Sequence, residues 1–233
     1  MKKKYLLEIS VETLEGVLAA ERGGADRIEL CGDLSAGGVT PGVDLVHAVR
    51  NQIRIPVFVM VRPRAGDFVY SNSEFEMMKR SIVDAKESCV DGVVLGILRS
   101  DRGVDVERTR ELVNLARPLP VTYHRAFDES ADLHQALEDV IETGAARILT
   151  SGGAKSAEEG AAVLAELVQG GGERIIILPG AGINASNISK IALRTLAREF
   201  HSGLSTALPY ASRDYDKFEH EVRRLAQELV KID

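Results

Sequence analysis

Ionisable side chains fall at the ends of several predicted β-strands, where parallel strands would gather them at one edge. Two carboxylates, Glu8 and Glu29, and two histidines, His124 and His201, occupy such positions. Buried charges are costly unless they have partners, so their convergence favours a functional site. These residue types predict general acid–base chemistry by Glu8, Glu29 or His124, and they do not say which carboxylate is the base.

Two arginines follow the same pattern and predict an anionic ligand. Arg62 ends the third predicted strand, and Arg125 follows the fifth. A guanidinium binds carboxylate or phosphate oxygens through paired, charge-assisted hydrogen bonds. The alternative is structural, because Glu8 and Glu29 could instead form an ion-pair network with Arg62 that closes this end of the fold.

Short β-branched runs alternate with longer amphipathic stretches along the chain. Strands are predicted at 5–9, 27–31, 57–62, 92–98, 121–124, 147–151, 174–179 and 199–202. Helices are predicted at roughly 11–22, 42–51, 73–88, 105–116, 130–143, 156–168, 185–197 and 214–231. Ser10 and Ser73 are the predicted N-caps of the first and third helices, and Ser73 forms a capping box with Glu76.

Eight successive strand–helix units predict an α/β protein, a (β/α)₈ TIM barrel that forms a single domain over residues 1–233. A doubly wound open sheet is the alternative, but it requires a long crossover connection that the sequence does not contain. Active sites of barrels form at the carboxyl ends of the strands. The ionisable residues are therefore expected to share one mouth.

Two histidines leave a structural interpretation open beside the catalytic one. His124 and Asp128 are four residues apart and could orient one another across a tight turn. Asp128 could instead cap the turn before the fifth helix. His201 is either an anion-binding residue or a hydrogen-bonded histidine at a strand end.

Glycine-rich turns follow the last three predicted strands. Loops after the seventh and eighth strands of barrels commonly hold phosphate on backbone N–H groups. Gly180 and Gly182, placed before a helix predicted at 185, fit an anion site that Ser151 and His201 complete. The alternative is that these glycines only permit tight turns. Matches to dinucleotide-binding and P-loop motifs fail on their surrounding residues.

Composition and charge exclude several classes of protein. Acidic residues outnumber basic ones, 35 to 29, which argues against a nucleic-acid partner. No apolar run reaches the roughly 20 residues of a membrane span, and Glu8 interrupts the apolar start that imitates a signal peptide. We therefore expect a cytoplasmic protein without a membrane partner. Two cysteines are too few for a disulfide framework.

Seven segments, spread over most of the chain, resemble the CutC family. They are Glu29-Leu-Cys31, Gly37-Gly-Val-Thr-Pro41, Arg62-Pro-Arg-Ala-Gly-Asp-Phe68, His124-Arg-Ala-Phe-Asp128, Leu149-Thr-Ser-Gly-Gly153, Pro179-Gly-Ala-Gly-Ile183 and Phe200-His-Ser202. The resemblance implies a cytoplasmic, homo-oligomeric barrel with a role in copper homeostasis and with copper(I) as its metal.

Copper(I) prefers thiolate, thioether and imidazole ligands, which makes Cys31 the expected metal ligand. Cys89 precedes the fourth strand and is expected at the opposite face, so it cannot share an ion with Cys31 within one chain. Cys31 could ligate with Met60 or a histidine, or it could be a small apolar residue at a strand end.

Two functions are therefore open. The first is a copper homeostasis protein that binds copper(I) through Cys31. The second is a TIM-barrel enzyme that acts by general acid–base chemistry on a small anionic metabolite, phosphorylated in one version.

Overall fold

The computed structural model describes residues 4–204 and 214–232. Its strands are β1 Leu6–Val11, β2 Arg27–Leu30, β3 Val57–Met60, β4 Gly92–Leu95, β5 Val121–Tyr123, β6 Arg147–Thr150, β7 Ile176–Pro179 and β8 Glu199–Ser202. Its helices are α1 Leu14–Gly23, α2 Val43–Arg50, α3 Asn72–Glu87, α4 Val106–Ala116, α5 Leu133–Thr143, α6 Ala161–Gly171, α7 Ile188–Thr195 and α8 Tyr215–Val230. Short 3₁₀ turns lie at Leu34–Ala36 and Arg125–Glu129.

The strands form one parallel sheet that curves into a barrel. Their order is β7-β6-β5-β4-β3-β2-β1-β8, so each strand pairs with its neighbour in sequence and β1 also pairs with β8. β7 and β8, at the two ends of this order, pack against each other and nearly close the barrel. The predicted (β/α)₈ TIM barrel is confirmed, while the assignment of all of 1–233 to one domain extends past the described residues and stays a prediction.

The two faces of each strand have different surroundings because successive side chains alternate. In β1, Leu7 and Ile9 belong to the main apolar core beneath the helices. Glu8 and Ser10 alternate with them and point into the barrel. The interior holds a separate small apolar cluster of Cys31, Phe58, Met60 and Val94. Charged side chains fill much of the remaining interior.

Several predicted boundaries shift by a few residues, and the shifts matter for the site. β1 runs on to Val11, which places Glu8 in the middle of the strand instead of at its end. Arg62, His124 and Ser151 lie just beyond their strands, in the loops of the mouth. The predicted N-cap at Ser10 is wrong because this residue is in β1, and Thr13 caps α1.

The predicted capping box of α3 is also displaced. Ser71, not Ser73, accepts the hydrogen bond from the backbone N–H of Glu74, and the Glu74 carboxylate accepts from the N–H of Ser71. A box two residues upstream has the same chemistry because both positions offer serine followed by glutamate. Within the described residues, no helix is long and apolar enough to cross a membrane.

The amino-terminal end of the barrel interior is closed by an aromatic ring between two cations. Phe58 lies 4.9 Å from the guanidinium of Arg27 and 5.3 Å from that of Arg147. Both arginines donate to the Glu199 carboxylate, at 2.8 and 2.9 Å. Gly92 of β4 pairs with Phe58 of β3. A β-carbon on Gly92 would lie 2.5 Å from the Phe58 ring, so only glycine leaves room for it.

We predict that Gly92→Ala lowers the free energy of unfolding by about 1–3 kcal/mol, because the extra methyl group forces the Phe58 ring out of its place. Urea denaturation measures this change. Gly42→Ala is the control for packing, since a β-carbon there meets nothing within 4 Å, and we expect a loss of less than about 1 kcal/mol, because alanine is a poorer N-cap of α2 than glycine. Equal losses in the two variants would contradict the packing argument.

Candidate functional site at the carboxyl end of the barrel

His201 of β8 lies between two buried carboxylates. Its Nδ1 is 2.8 Å from Glu8 Oε1, and its Nε2 is 3.9 Å from Glu29 Oε2. The strand pairing explains the first contact, because Glu8 and His201 are register partners in β1 and β8. Burial lowers the pKa of His201, but Glu29 and Glu8 together raise it above its ordinary value of 6.5. The two carboxylates therefore favour the protonated form of the imidazole.

Glu8 holds Arg27 and His201 in place through its two carboxylate oxygens. It is fully buried and accepts a hydrogen bond from Nε of Arg27 as well as facing His201. Burial raises the pKa of Glu8, but Arg27 and His201 outweigh it and lower the pKa to about 2. This carboxylate is ionised and occupied on both oxygens, which suits a residue that positions His201 better than one that exchanges protons.

Glu29 has one occupied and one unoccupied oxygen. Oε2 accepts from the Cys31 thiol at 3.5 Å and faces His201. Oε1 is buried and has no hydrogen-bond partner in the part of the chain that the structure describes. Burial raises the pKa of Glu29, and the positive charge of His201 opposes that rise only in part. A buried, incompletely bonded carboxylate is suited to accept a proton.

A cavity of about 230 Å³ opens beside these groups at the carboxyl end of the strands. Most of the predicted site residues contact it. Those that line it are Glu29, Arg62, His124, Arg125, Gly182 and His201, together with Ser10, Leu34, Gly37, Met60, Phe68, Leu149, Ala181 and Gly203. Four other predicted residues, Glu8, Cys31, Ser151 and Gly180, lie behind this lining.

Arg62 is a buried cation that no carboxylate neutralises. Its Nη1 donates to the backbone carbonyls of Ala36, Gly37 and Gly38, and its Nη2 donates to that of Gly66. No carboxylate oxygen lies within 4 Å of it among the described residues. The predicted alternative, an ion-pair network of Glu8 and Glu29 with Arg62, is therefore wrong for Arg62, and Glu8 is paired instead with Arg27 at the other end of the interior.

His124 is fixed in one orientation as the N-cap of the 3₁₀ turn Arg125–Glu129. Its Nδ1 accepts from the backbone N–H of Ala126 at 3.2 Å, and its ring lies 4.9 Å from that of Phe68. A β-carbon on Gly96 would lie 2.6 Å from this nitrogen, so glycine makes room for the ring. Burial and the nearby Arg62 lower the pKa of His124 to about 3. The neutral ring therefore carries its proton on Nε2.

Asp128 neither orients His124 nor caps the fifth helix. Its carboxylate accepts from the hydroxyls of Thr150 and Ser151 and from the backbone N–H groups of Ser151 and Gly153. The cap of α5 is Asp132. Arg125 donates to Asp128 at 2.8 Å and to Ser151 at 3.2 Å. Ser151 and Asp128 thus hold the loop after β6, and Arg125 sits at the rim of the cavity.

The predicted anion cradle after β7 is only partly present. α7 begins at Ile188, three residues later than predicted. The Asn187 side chain bonds to the N–H of Asn184 and to the carbonyl of Gly182, which closes the chain before the helix. Gly182 lines the cavity, whereas Gly180 packs so closely that a β-carbon there would lie 2.5 Å from Leu149. Gly180 therefore serves packing.

Comparison with known proteins identifies the family. The model of the CutC family matches residues 5–206 of this chain. The chain belongs to the CutC family. A human protein named copper homeostasis protein cutC homolog is 46% identical over 197 residues, which are 84% of this chain and 72% of that protein. A CutC family protein of Chromobacterium violaceum is 44% identical over 208 residues, 89% of this chain and 84% of the other.

A solved structure supports the same conclusion for the fold. The CutC copper homeostasis protein of Streptococcus agalactiae superposes with a TM-score of 0.81 at 31% sequence identity, over 85% of this chain and 98% of the other. The resemblance read from the seven segments is thus confirmed for the CutC family.

The two cysteines of this CutC protein are far apart, as expected. Both are free, with Cys31 fully buried beside the mouth and Cys89 exposed between α3 and β4. Burial and the neighbouring Glu29 raise the pKa of the Cys31 thiol well above its ordinary value. The thiol shares its buried cluster with Met60, which also lines the cavity. Cys31 is therefore the cysteine placed near the site.

Sequence reasoning missed three residues that support the site of this CutC protein. Arg27, Arg147 and Glu199 were assigned only to strand starts, yet they form the charged floor beneath His201. Their spacing could have found them, because Arg27 and Glu199 each stand two residues before a predicted site residue. Residues two apart in a strand lie on the same face.

We predict that Glu8→Gln lowers the pKa of His201, because the substitution removes a negative charge and keeps the size of the side chain. Histidine titration by NMR on nitrogen-15-labelled protein measures the change. Glu76→Gln, on the exposed surface of α3, is the control and should leave the titration unchanged. An unchanged His201 midpoint in folded Glu8→Gln protein would show that Glu8 does not hold this imidazolium.

Proposed function

We propose that this protein acts in copper homeostasis and binds copper(I) inside the barrel through the Cys31 thiolate. The observation that carries the proposal is the shared burial of a thiol and a thioether, Cys31 and Met60, in one interior cluster next to the cavity. Soft sulfur ligands select copper(I) over the hard divalent ions. The names of the human and Streptococcus agalactiae relatives support the copper role.

The surroundings of Cys31 supply what a thiolate site requires. Metal binding removes the thiol proton, and burial makes that loss costly in the metal-free protein. Glu29 Oε2 lies 3.5 Å from Sγ and can receive the proton. The incoming copper(I) then replaces the proton as the positive charge between sulfur and carboxylate.

His201 is the strongest candidate for a nitrogen ligand. Its Nδ1 faces Glu8, so Nε2 is the nitrogen that remains for a metal. A carboxylate on the far nitrogen of a ligating histidine fixes the ring and increases its basicity. Ligand atoms of Glu8, Glu29 and His201 lie within 4.8 Å of one another. Cys31 adjoins this group through Glu29, whose Oε2 lies 3.5 Å from Sγ.

We predict that Cys31→Ser abolishes stoichiometric copper(I) uptake under anaerobic, reducing conditions. Competition against a chromogenic copper(I) chelator measures the affinity. Cys89→Ser is the matched control, because its thiol is exposed on the opposite face, and it should bind copper(I) as tightly as wild type. Met60→Leu should weaken binding without abolishing it. Uptake by Cys31→Ser equal to that of wild type would overturn the proposal.

We propose, as a second function, acid–base catalysis on a small anionic metabolite. The specific observation is the cavity, where a buried arginine has no carboxylate partner and the unbonded atoms Glu29 Oε1 and His124 Nε2 belong to lining residues. An anion would supply the missing charge opposite Arg62. Proton transfer would fall to Glu29 and His201, with Glu8 as the anchor of the histidine. A cytoplasmic location and a homo-oligomeric state remain predictions in both cases.

We predict that crystals soaked in sulfate bind the ion in the cavity beside Arg62. The unneutralised guanidinium is the strongest positive charge on the lining, so Arg62→Gln should lose the ion. Arg64→Gln is the control, since Arg64 is already paired with Asp67 and Glu74. A cavity without sulfate at high concentration would contradict the anion site and leave the copper proposal standing.

A further inference from the structure

Two residues that line the cavity each have a buried polar atom without a hydrogen-bond partner among the described residues. His124 Nε2 and Glu29 Oε1 are both buried and have no partner within residues 4–204 and 214–232. Unbonded buried polar atoms are uncommon, and each calls for a partner that the described residues do not supply. One of these atoms is a donor and the other an acceptor, so the missing partner has both an acceptor atom and a hydrogen to give.

A backbone contact determines which nitrogen of His124 is the donor. Because Nδ1 of His124 accepts from Ala126 N–H, the single proton of the neutral ring lies on Nε2. The pKa of about 3 keeps the ring neutral throughout the physiological range. A neutral imidazole held at a helical N-terminus is an effective donor to a carbonyl oxygen, because it does not give up its proton to the substrate.

The acceptor lies on the other side of the mouth. Barrel order places β5 opposite β1, and β1 has β2 and β8 as its neighbours. His124, just after β5, therefore faces Glu29 and His201, which stand on β2 and β8. Arg62 lies after β3 and adds a positive charge. It stands between His124 on one side of the mouth and Glu29 and His201 on the other. A ligand in the cavity thus meets donors at one end and a carboxylate at the other.

The size of the cavity limits the ligand. A volume of about 230 Å³ is below the roughly 300–1,000 Å³ that is usual for ligand pockets, so the cavity suits a small ligand. The lining between the polar residues is apolar, with Met60, Phe68 and Leu149. This composition suits a short carbon skeleton.

We propose that the ligand is a small anionic hydroxycarbonyl compound, and that the protein catalyses proton exchange at the carbon next to its carbonyl group. The inference rests on the second proposed function and names its substrate class. His124 and Arg62 bind the carbonyl oxygen, and Glu29 faces the carbon that carries the acidic hydrogen.

The step is balanced without a cofactor. Glu29 Oε1 takes the proton from the carbon next to the carbonyl, and the electron pair of that C–H bond forms a carbon–carbon double bond. The carbonyl π electrons move to oxygen, and the resulting enolate oxygen is stabilised by His124 Nε2–H and Arg62. Return of the proton to the same carbon gives exchange or inversion. Return to the former carbonyl carbon, with transfer of the hydroxyl proton, gives the isomer.

Hydrogen–deuterium exchange tests the proposal directly. Metal-free, EDTA-treated protein is incubated in D₂O with the anion hydroxypyruvate, or with the neutral compounds dihydroxyacetone and glyceraldehyde for comparison, and proton NMR follows the C–H signal next to the carbonyl. We expect exchange faster than in buffer for at least one compound, and an equal rate in Cys89→Ser. Glu29→Gln should reduce the exchange to the buffer rate.

Two substitutions of His124 separate its donor role from its structural role. Asparagine keeps the acceptor for Ala126 N–H and lacks a donor at the Nε2 position, whereas glutamine places an N–H near that position. We expect Asn to lower the exchange rate about 100-fold or more, and Gln to retain part of it. Equal rates in wild type and His124→Asn would overturn the role of His124.

The outcomes also separate this inference from the function on which it rests. If sulfate binds beside Arg62 and no compound exchanges above the buffer rate, the anion site stands and the hydroxycarbonyl class is wrong. If neither result is obtained, the second function fails together with this inference.

Discussion

The pairing of buried charges inside the barrel is the constraint on which the site depends. Glu199 joins Arg27 to Arg147 at the floor, and Arg27 in turn holds Glu8. Ions in a medium of low polarity are tolerated only when each has a partner. Each of these arginines and carboxylates has a partner of opposite charge. Glu8 faces Arg27 with one oxygen and His201 with the other. Glu8 and the ion pairs beneath it therefore fix the position of the His201 ring and favour its protonated form.

Among the described residues, the buried charged groups have fewer hydrogen-bond and ion-pair partners toward the carboxyl end of the barrel. The floor carboxylates are engaged by arginines, whereas among the described residues Glu29 has one unbonded oxygen and Arg62 has no carboxylate partner. Such a gradient is expected where a rigid, fully paired base supports groups reserved for a ligand. The same gradient explains why Arg62 is fixed by four backbone carbonyls. These contacts orient the guanidinium without neutralising it.

The sequence was sufficient for the barrel and for six of the fourteen residues that line the cavity, because both follow from periodicity and from strand ends. It was insufficient to predict how far each side chain lies from the mouth of the barrel. Glu8 was placed at a strand end, since the polar residue broke an apolar run, although β1 continues to Val11. The contacts of Asp128 with Thr150 and Ser151 join two loops that are far apart in sequence. The start of α7 depended on Asn187, whose side-chain bonds no local pattern indicates.

Glu29 connects the two proposed functions and makes them interdependent. Its Oε2 accepts a hydrogen bond from the Cys31 thiol, whereas its Oε1 has no partner among the described residues. Copper(I) bound to the thiolate would bring a positive charge next to this carboxylate. A nearby cation favours the ionised carboxylate and makes it a weaker base. Copper(I) bound at Cys31 would therefore slow proton transfer by Glu29 in the cavity. The rate of proton transfer at the mouth would then depend on whether copper(I) is bound.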